Sequence, residues 1–194
     1  AIELNPGYAA AHQSYGRGLG YFGRFEQALG ELQRARELDP LSPLINAYIG
    51  QVYLFARQYD RAAQHLQQTL EVNPAHVLLR HNLGEVYLAQ GRFAEAVAQL
   101  EKSVETSSEP SSHFLAMLGC AYARVPRKLD AAKVVDELYR RSKQELVSAF
   151  DMASLQVALG ENEQALAWLE RGYEQRDGWL VEIKAWPWFD PLRN

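Results

Sequence analysis

The sequence predicts an all-α protein built as a stack of paired helices, and three observations predict it. The first is a 34-residue period: Pro6, Pro40 and Pro74 fall on it, as do Gly16, Gly50 and Gly84, then Phe25, Tyr59 and Phe93, then Ala28, Ala62 and Ala96. Four residue types in phase make an internal repeat, and repeats of this length mark stacked supersecondary units. The second is helical spacing of apolar residues inside each period, as in Ile45, Ile49, Val52 and Tyr53, then Leu79, Leu83, Val86 and Tyr87. The third is punctuation. Asn5-Pro6, Asp39-Pro40 and Asn73-Pro74 each end a helix, because the residue before a proline is driven out of the helical region.

The elements follow in order. Residues 1–8 contain "AIELNP", which parallels "ARELDP" at 35–40 and reads as the end of a truncated preceding repeat. Ala1–Leu4 is therefore expected to be helical and to pack on the first helix of the first unit. Units follow at 9–42, 43–76 and 77–111, each two helices joined by a short turn. Glycine at the eighth position costs about 1 kcal/mol against alanine in a helix, so a large side chain of the partner helix is expected there, with Ala28, Ala62 or Ala96 facing it. Gly23 and Gly91 stand where a left-handed C′ residue is needed, and Arg57 takes that place in the second unit. Phe25, Tyr59 and Phe93 open the second helices.

The period then loosens. Gly119 lies 35 residues after Gly84, and Ala131 lies 35 after Ala96, so one residue is inserted near "SSEPSSH". A fourth unit spans 112–145 and a fifth 146–178, with Ala153, Gly160 and Ala165 in the glycine, turn and small positions. Residues 179–194 leave the pattern and read as a C-terminal cap. Trp179, Leu180, Ile183 and Trp186 suit a short amphipathic helix ended by Pro187. All 194 residues form a single solenoid on this reading.

Gly at position eight, Tyr at eleven (Tyr53, Tyr87), Gly at fifteen, an aromatic at seventeen, Ala at twenty and Pro at thirty-two resemble the tetratricopeptide repeat. The chain departs at position four, where His12, Asn46 and Arg80 replace tryptophan, and at Leu19 in position eleven of the first unit. The resemblance implies a right-handed superhelix whose concave face is lined by the first helix of each unit. Groove positions carried over from the family include Arg17, Tyr21, Tyr48, Gln51, Phe55, His81, Asn82 and Glu85. The inner face also takes in His113 and Asp151. A two-carboxylate clamp for chaperone tails would need lysine and arginine at fixed positions; only Asn82 fits. The ending "DGWLVEIKAWPWFDPLRN" is similar to the C-terminal segments of repeat regions in bacterial multidomain signalling proteins, where a phrase like "DPLR" is commonly followed by more chain, which points to a fragment of a larger protein.

Composition excludes several functions. The net charge of −4 offers no basic footprint for nucleic acid. No apolar run is long enough to cross a membrane. A single cysteine, Cys120, allows no internal disulfide, in keeping with a reducing, cytoplasmic compartment. It sits in "LGCAYA" as a small core residue. Among the five histidines no two are four residues apart, so no helical zinc pair is read, and no metal, cofactor or catalytic set is assigned. The expected function is a non-catalytic scaffold gripping a protein or peptide segment. The alternative is a self-association or regulatory module for a catalytic or DNA-binding domain outside this chain, with self-association through its truncated ends. An enzyme is the third reading, and it would need clustered carboxylates in a pocket.

Overall fold

The computed structural model describes residues 2–143 and 147–193. The described residues form ten α-helices: α1 (Ala9–Tyr21), α2 (Phe25–Leu38), α3 (Pro43–Phe55), α4 (Tyr59–Val72), α5 (Val77–Ala89), α6 (Phe93–Thr106), α7 (Ser112–Ala123), α8 (Lys128–Arg141), α9 (Ala149–Leu159) and α10 (Asn162–Glu174). Each odd helix pairs with the even helix that follows it. The odd helices also pack side by side, α1 on α3, α3 on α5, α5 on α7 and α7 on α9. That second set of contacts makes the inner wall of a right-handed superhelical solenoid. The expected unit boundary at 145 and 146 lies outside the described residues, as does Ala1.

The helix starts are written into the inner wall. Ser42, Ser111 and Ser148 accept a backbone N–H from Ile45, Phe114 and Phe150, and the His76 ring nitrogen accepts from Leu79. Such caps satisfy donors that a helix start leaves open, for about 1 kcal/mol each. The outer helices α2, α4, α6, α8 and α10 begin without a side-chain cap. Phe25 and Tyr59, which open α2 and α4, pack against the core instead.

The repeated glycine is required by leucine. A Cβ added at Gly16, Gly50 or Gly84 would stand 2.8, 2.6 or 2.5 Å from Leu32, Leu66 or Leu100. These leucines lie four residues after Ala28, Ala62 and Ala96, the residues expected to face the glycines. The alanines are fully buried, but at Gly16 and Gly84 it is the backbone carbonyl of Ala28 and Ala96 that comes close. The turns follow the reading closely: φ is +75° at Gly23, +74° at Gly91, +87° at Gly160 and +60° at Arg57.

Two expectations at the ends fail. Residues 2–4 form a turn, not a helix, and Leu4 is exposed. Asn5-Pro6 follows directly, and the residue before a proline is driven out of the helical region. The C-terminal segment forms two 3-10 helices, Gly178–Glu182 and Pro187–Leu192, in place of one amphipathic helix. Pro187 therefore opens an element, as a residue with fixed φ and no N–H can. Asp177 ties this segment to the wall: its carboxylate accepts from the Ser148 hydroxyl at 2.7 Å, from Ala149 N–H at 2.7 Å and from Trp179 N–H at 3.0 Å.

The C-terminal segment does more than close the last pair. Phe189 lies edge-on to Phe150 of α9 at 5.1 Å, while Trp186 reaches Phe55 at the end of α3 at 4.9 Å. Asp190 pairs with Arg57 in the α3–α4 turn at 2.9 Å. The tryptophan is 1% exposed. No described helix is long and apolar enough to cross a membrane.

Candidate functional site

The inner wall frames a cleft of about 870 Å³, a size suited to a bound side chain cluster or peptide stretch. Arg17 and Tyr21 come to it from α1, Tyr48 and Gln51 from α3, and His81, Asn82 and Glu85 from α5; His113, Asp151, Trp179 and Trp186 close the other side. Phe55 does not line the cleft. It is 3% exposed and held between the rings of Tyr21 and Trp186, because the C-terminal segment covers the end of α3.

Two parts of the cleft differ in chemistry. At one end Arg17 donates from Nε to the Tyr21 hydroxyl at 2.7 Å and from a terminal nitrogen to the Tyr48 hydroxyl at 3.1 Å. Its guanidinium also stacks near both rings, 5.3 and 5.2 Å from their centroids. The phenols fix the cation without neutralising it. Glu182, 4% exposed, lies beside this group, and burial raises its carboxyl pKa. Asn82 donates its amide to the Ala47 carbonyl at 3.0 Å. It thus locks α5 to α3, whatever else it touches.

At the other end is a buried polar cluster. Glu85 and His81 are each 1% exposed and lie one turn apart on α5. One Glu85 oxygen, Oε1, is 3.3 Å from His81 Nε2 and 3.2 Å from His113 Nε2. His113 Nδ1 lies 2.7 Å from an Asp151 oxygen on α9. The His81 ring is stacked on Phe114 at 3.9 Å, and His113 is stacked on Trp179 at 5.7 Å. Both nitrogens of His81 and both oxygens of Glu85 are buried without a hydrogen bond. Burial, the largest influence on each group, drives His81 down; at His113 it is overridden by the carboxylates of Asp151 and Glu85, which push that imidazole up to about 10. At Glu85 burial is overridden by the two imidazoles, which hold the carboxyl at about 2. One atom from each of His81, Glu85 and His113 lies within 4.8 Å of the others, as metal ligands would.

The sequence reading placed His81, Glu85, His113 and Asp151 on the inner face but did not bring them together. No two histidines stand one helical turn apart in the sequence. The usable signal was mixed: His81 and Glu85 one turn apart on α5, and His113 near the start of the next inner helix. Cys120 is buried in the core, and burial raises its thiol pKa far above the usual range.

Family profiles for the tetratricopeptide repeat match residues 49–112 and 146–171. No curated protein matches the sequence. Among solved structures, a thermophilic tetratricopeptide-repeat protein of Thermus thermophilus superposes with a TM-score of 0.70 at 18% identity, over 92% of this chain and 97% of that one. MamA from Desulfovibrio magneticus RS-1 gives 0.58 at 19% identity, over 74% and 82%. YrrB, described as having an unusual peptide-binding site, gives 0.50 at 20% identity, over 95% of each chain. With the period in the sequence, the leucine-into-glycine packing of the helix pairs and the matching profiles in agreement, the chain carries tetratricopeptide repeats at 49–112 and 146–171 and folds as a tetratricopeptide-repeat solenoid.

Proposed function

We infer that this chain is a non-catalytic scaffold that binds a segment of another protein in the cleft of its inner wall. Tetratricopeptide-repeat proteins serve as protein-interaction scaffolds in general. The observation that carries the finer reading is the cleft itself, built from α1, α3, α5, α7 and α9 together. A surface assembled from successive units suits an extended ligand, since each unit contributes one helix face. The peptide-binding site named for YrrB supports the same use of the fold.

Arg17, Tyr21 and Tyr48 form the grip. Tyr48 and Tyr21 offer broad contact area with little conformational freedom to lose. Arg17, already oriented by the two phenols, is set to donate to a ligand carboxylate or carbonyl. Gln51 adds an uncommitted amide beside it.

The test is a peptide-display selection on the full chain, followed by fluorescence titration of the selected peptides. Tyr48→Ala and Gln51→Arg are expected to weaken them by at least tenfold. Ala98→Arg, on the exposed face of α6, is expected to leave them unchanged. Equal binding by all three variants would place the ligand elsewhere and end this reading.

A further inference from the structure

We propose that His81, Glu85 and His113 form a binding site for a divalent transition-metal ion of the zinc type, with Asp151 as the positioning residue behind His113 and one coordination position open to the cleft. Three features of the cluster argue for it. The ligand set is two imidazoles and one carboxylate, which suits zinc and its neighbours. The two distances to the shared Glu85 oxygen fit as well. Donor atoms around a tetrahedral zinc, each at about 2.0–2.1 Å from the ion, lie roughly 3.3 Å from one another. Glu85 Oε1 is 3.3 Å from His81 Nε2 and 3.2 Å from His113 Nε2.

The third feature is what these atoms do not do. Both His81 nitrogens and both Glu85 oxygens are buried without a hydrogen bond. The contacts among them are short but misaligned for one. Buried polar atoms are nearly always paired, and an unpaired group calls for a reason such as an ion. Two complete functional groups without an aligned hydrogen bond, 1% exposed each and held only by ion-pair contacts at 3.2 and 3.3 Å, is a costly arrangement for a core that packs leucine elsewhere. A cation held among them would satisfy both at once.

The surroundings match the way proteins support such ions. His113 Nδ1 meets Asp151 Oδ1 at 2.7 Å. A carboxylate in that place holds the Nδ1 proton, so that an ion displacing the Nε2 proton would find Nε2, the atom turned to Glu85, as its donor. Phe114 stacked on His81 and Trp179 stacked on His113 hold the rings in place. His81, Glu85 and His113 all line the cleft, so a fourth ligand, water or an oxygen of a bound molecule, has a path in. The rival account is a purely structural ion network joining α5, α7 and α9.

The experiment uses the full chain after dialysis against chelator. Co²⁺ is titrated and followed by visible absorption, and Zn²⁺ is then added in competition. The expected result is saturation at one equivalent, with the intense bands of a low-coordinate cobalt site that Zn²⁺ abolishes. Glu85→Gln should weaken binding at least 100-fold, and Asp151→Asn by 10–100-fold. His76→Ser, which keeps a helix-capping side chain away from the cluster, should bind like the parent. Long-range ¹⁵N–¹H spectra of the unsubstituted chain give a measurement that needs no variant: Zn²⁺ should move the His81 and His113 ring nitrogens and leave those of the other histidines in place. Absence of saturable Co²⁺ binding, ring signals of His81 and His113 that do not respond, or full affinity in a folded Glu85→Gln would each overturn the proposal in favour of the structural network.

Discussion

Gly84 and Gly30 are both helical glycines, and the structure gives them opposite meanings. A Cβ at Gly84 would lie 2.5 Å from Leu100 Cγ, whereas nothing stands within 4 Å of one at Gly30. Gly84→Ala should therefore cost about 1–3 kcal/mol by forcing α5 from α6. Gly30→Ala, on an exposed position of α2, should stabilise by roughly 0.5–1 kcal/mol by restricting the unfolded chain. Thermal melts of the pair check both, and a neutral Gly84→Ala would mean that Leu100 has room to move. At Arg57 two effects oppose. Its φ of +60° costs roughly 1 kcal/mol in a side-chain-bearing residue. Its half-exposed ion pair with Asp190 returns less than about 1 kcal/mol. Arg57→Gly is expected to leave stability nearly unchanged, while Arg57→Gly in an Asp190→Asn background should raise it.

Between elements, the contact that matters most for the cleft is Asn82 to the Ala47 carbonyl. The family resemblance places Asn82 in the groove as a ligand-contacting residue. In the structure its amide joins α5 to α3, so Asn82→Ala should cost about 1–3 kcal/mol by stranding a buried carbonyl. Tyr48→Ala, at a half-buried position, is the cleaner probe of binding. Along α8, Glu137 is held at about 2 by hydrogen bonds from Arg140 and then Arg141. A depressed carboxyl stabilises above its unfolded pKa and loses that contribution as pH falls through the folded value. The difference between parent and Glu137→Gln in melting temperature should thus be present at pH 7 and shrink between about pH 4.5 and 2. The same distinction between local and tertiary control explains what the sequence made legible. Turn glycines, helix-opening aromatics and the glycine period recur because each unit solves the same local problem. The cluster at His81, Glu85 and His113 stayed hidden because its members occupy different repeat positions and meet only when α5 and α7 are wound together. Residues 178–192 have no earlier unit to be compared with, and their 3-10 form is set by what they pack against.

At the scale of the whole molecule, the contacts of the C-terminal segment break the rule that repeat proteins are stabilised by neighbours alone. Trp186 stands against Phe150 of α9 at 5.9 Å and Phe55 of α3 at 4.9 Å, and Asp190 adds the pair to Arg57. A chain coupled only to its neighbours would let the last helix pair fray without consequence for α3 and α4. Here the same buried indole packs on both α3 and α9, so loosening one should loosen the other. Trp186→Ala should cost about 3–5 kcal/mol, as expected for emptying a tryptophan-sized space in a core. Its signature is where the loss is felt. Native-state hydrogen exchange should quicken in α9 and also at the α3–α4 corner, while the exposed start of α6 keeps its rates. Asp190→Ala removes only the half-exposed ion pair and should show a weak form of the same pattern. Exchange that quickens in α9 and α10 alone would mean that the segment caps the last pair and that the contacts to Phe55 and Arg57 carry no coupling.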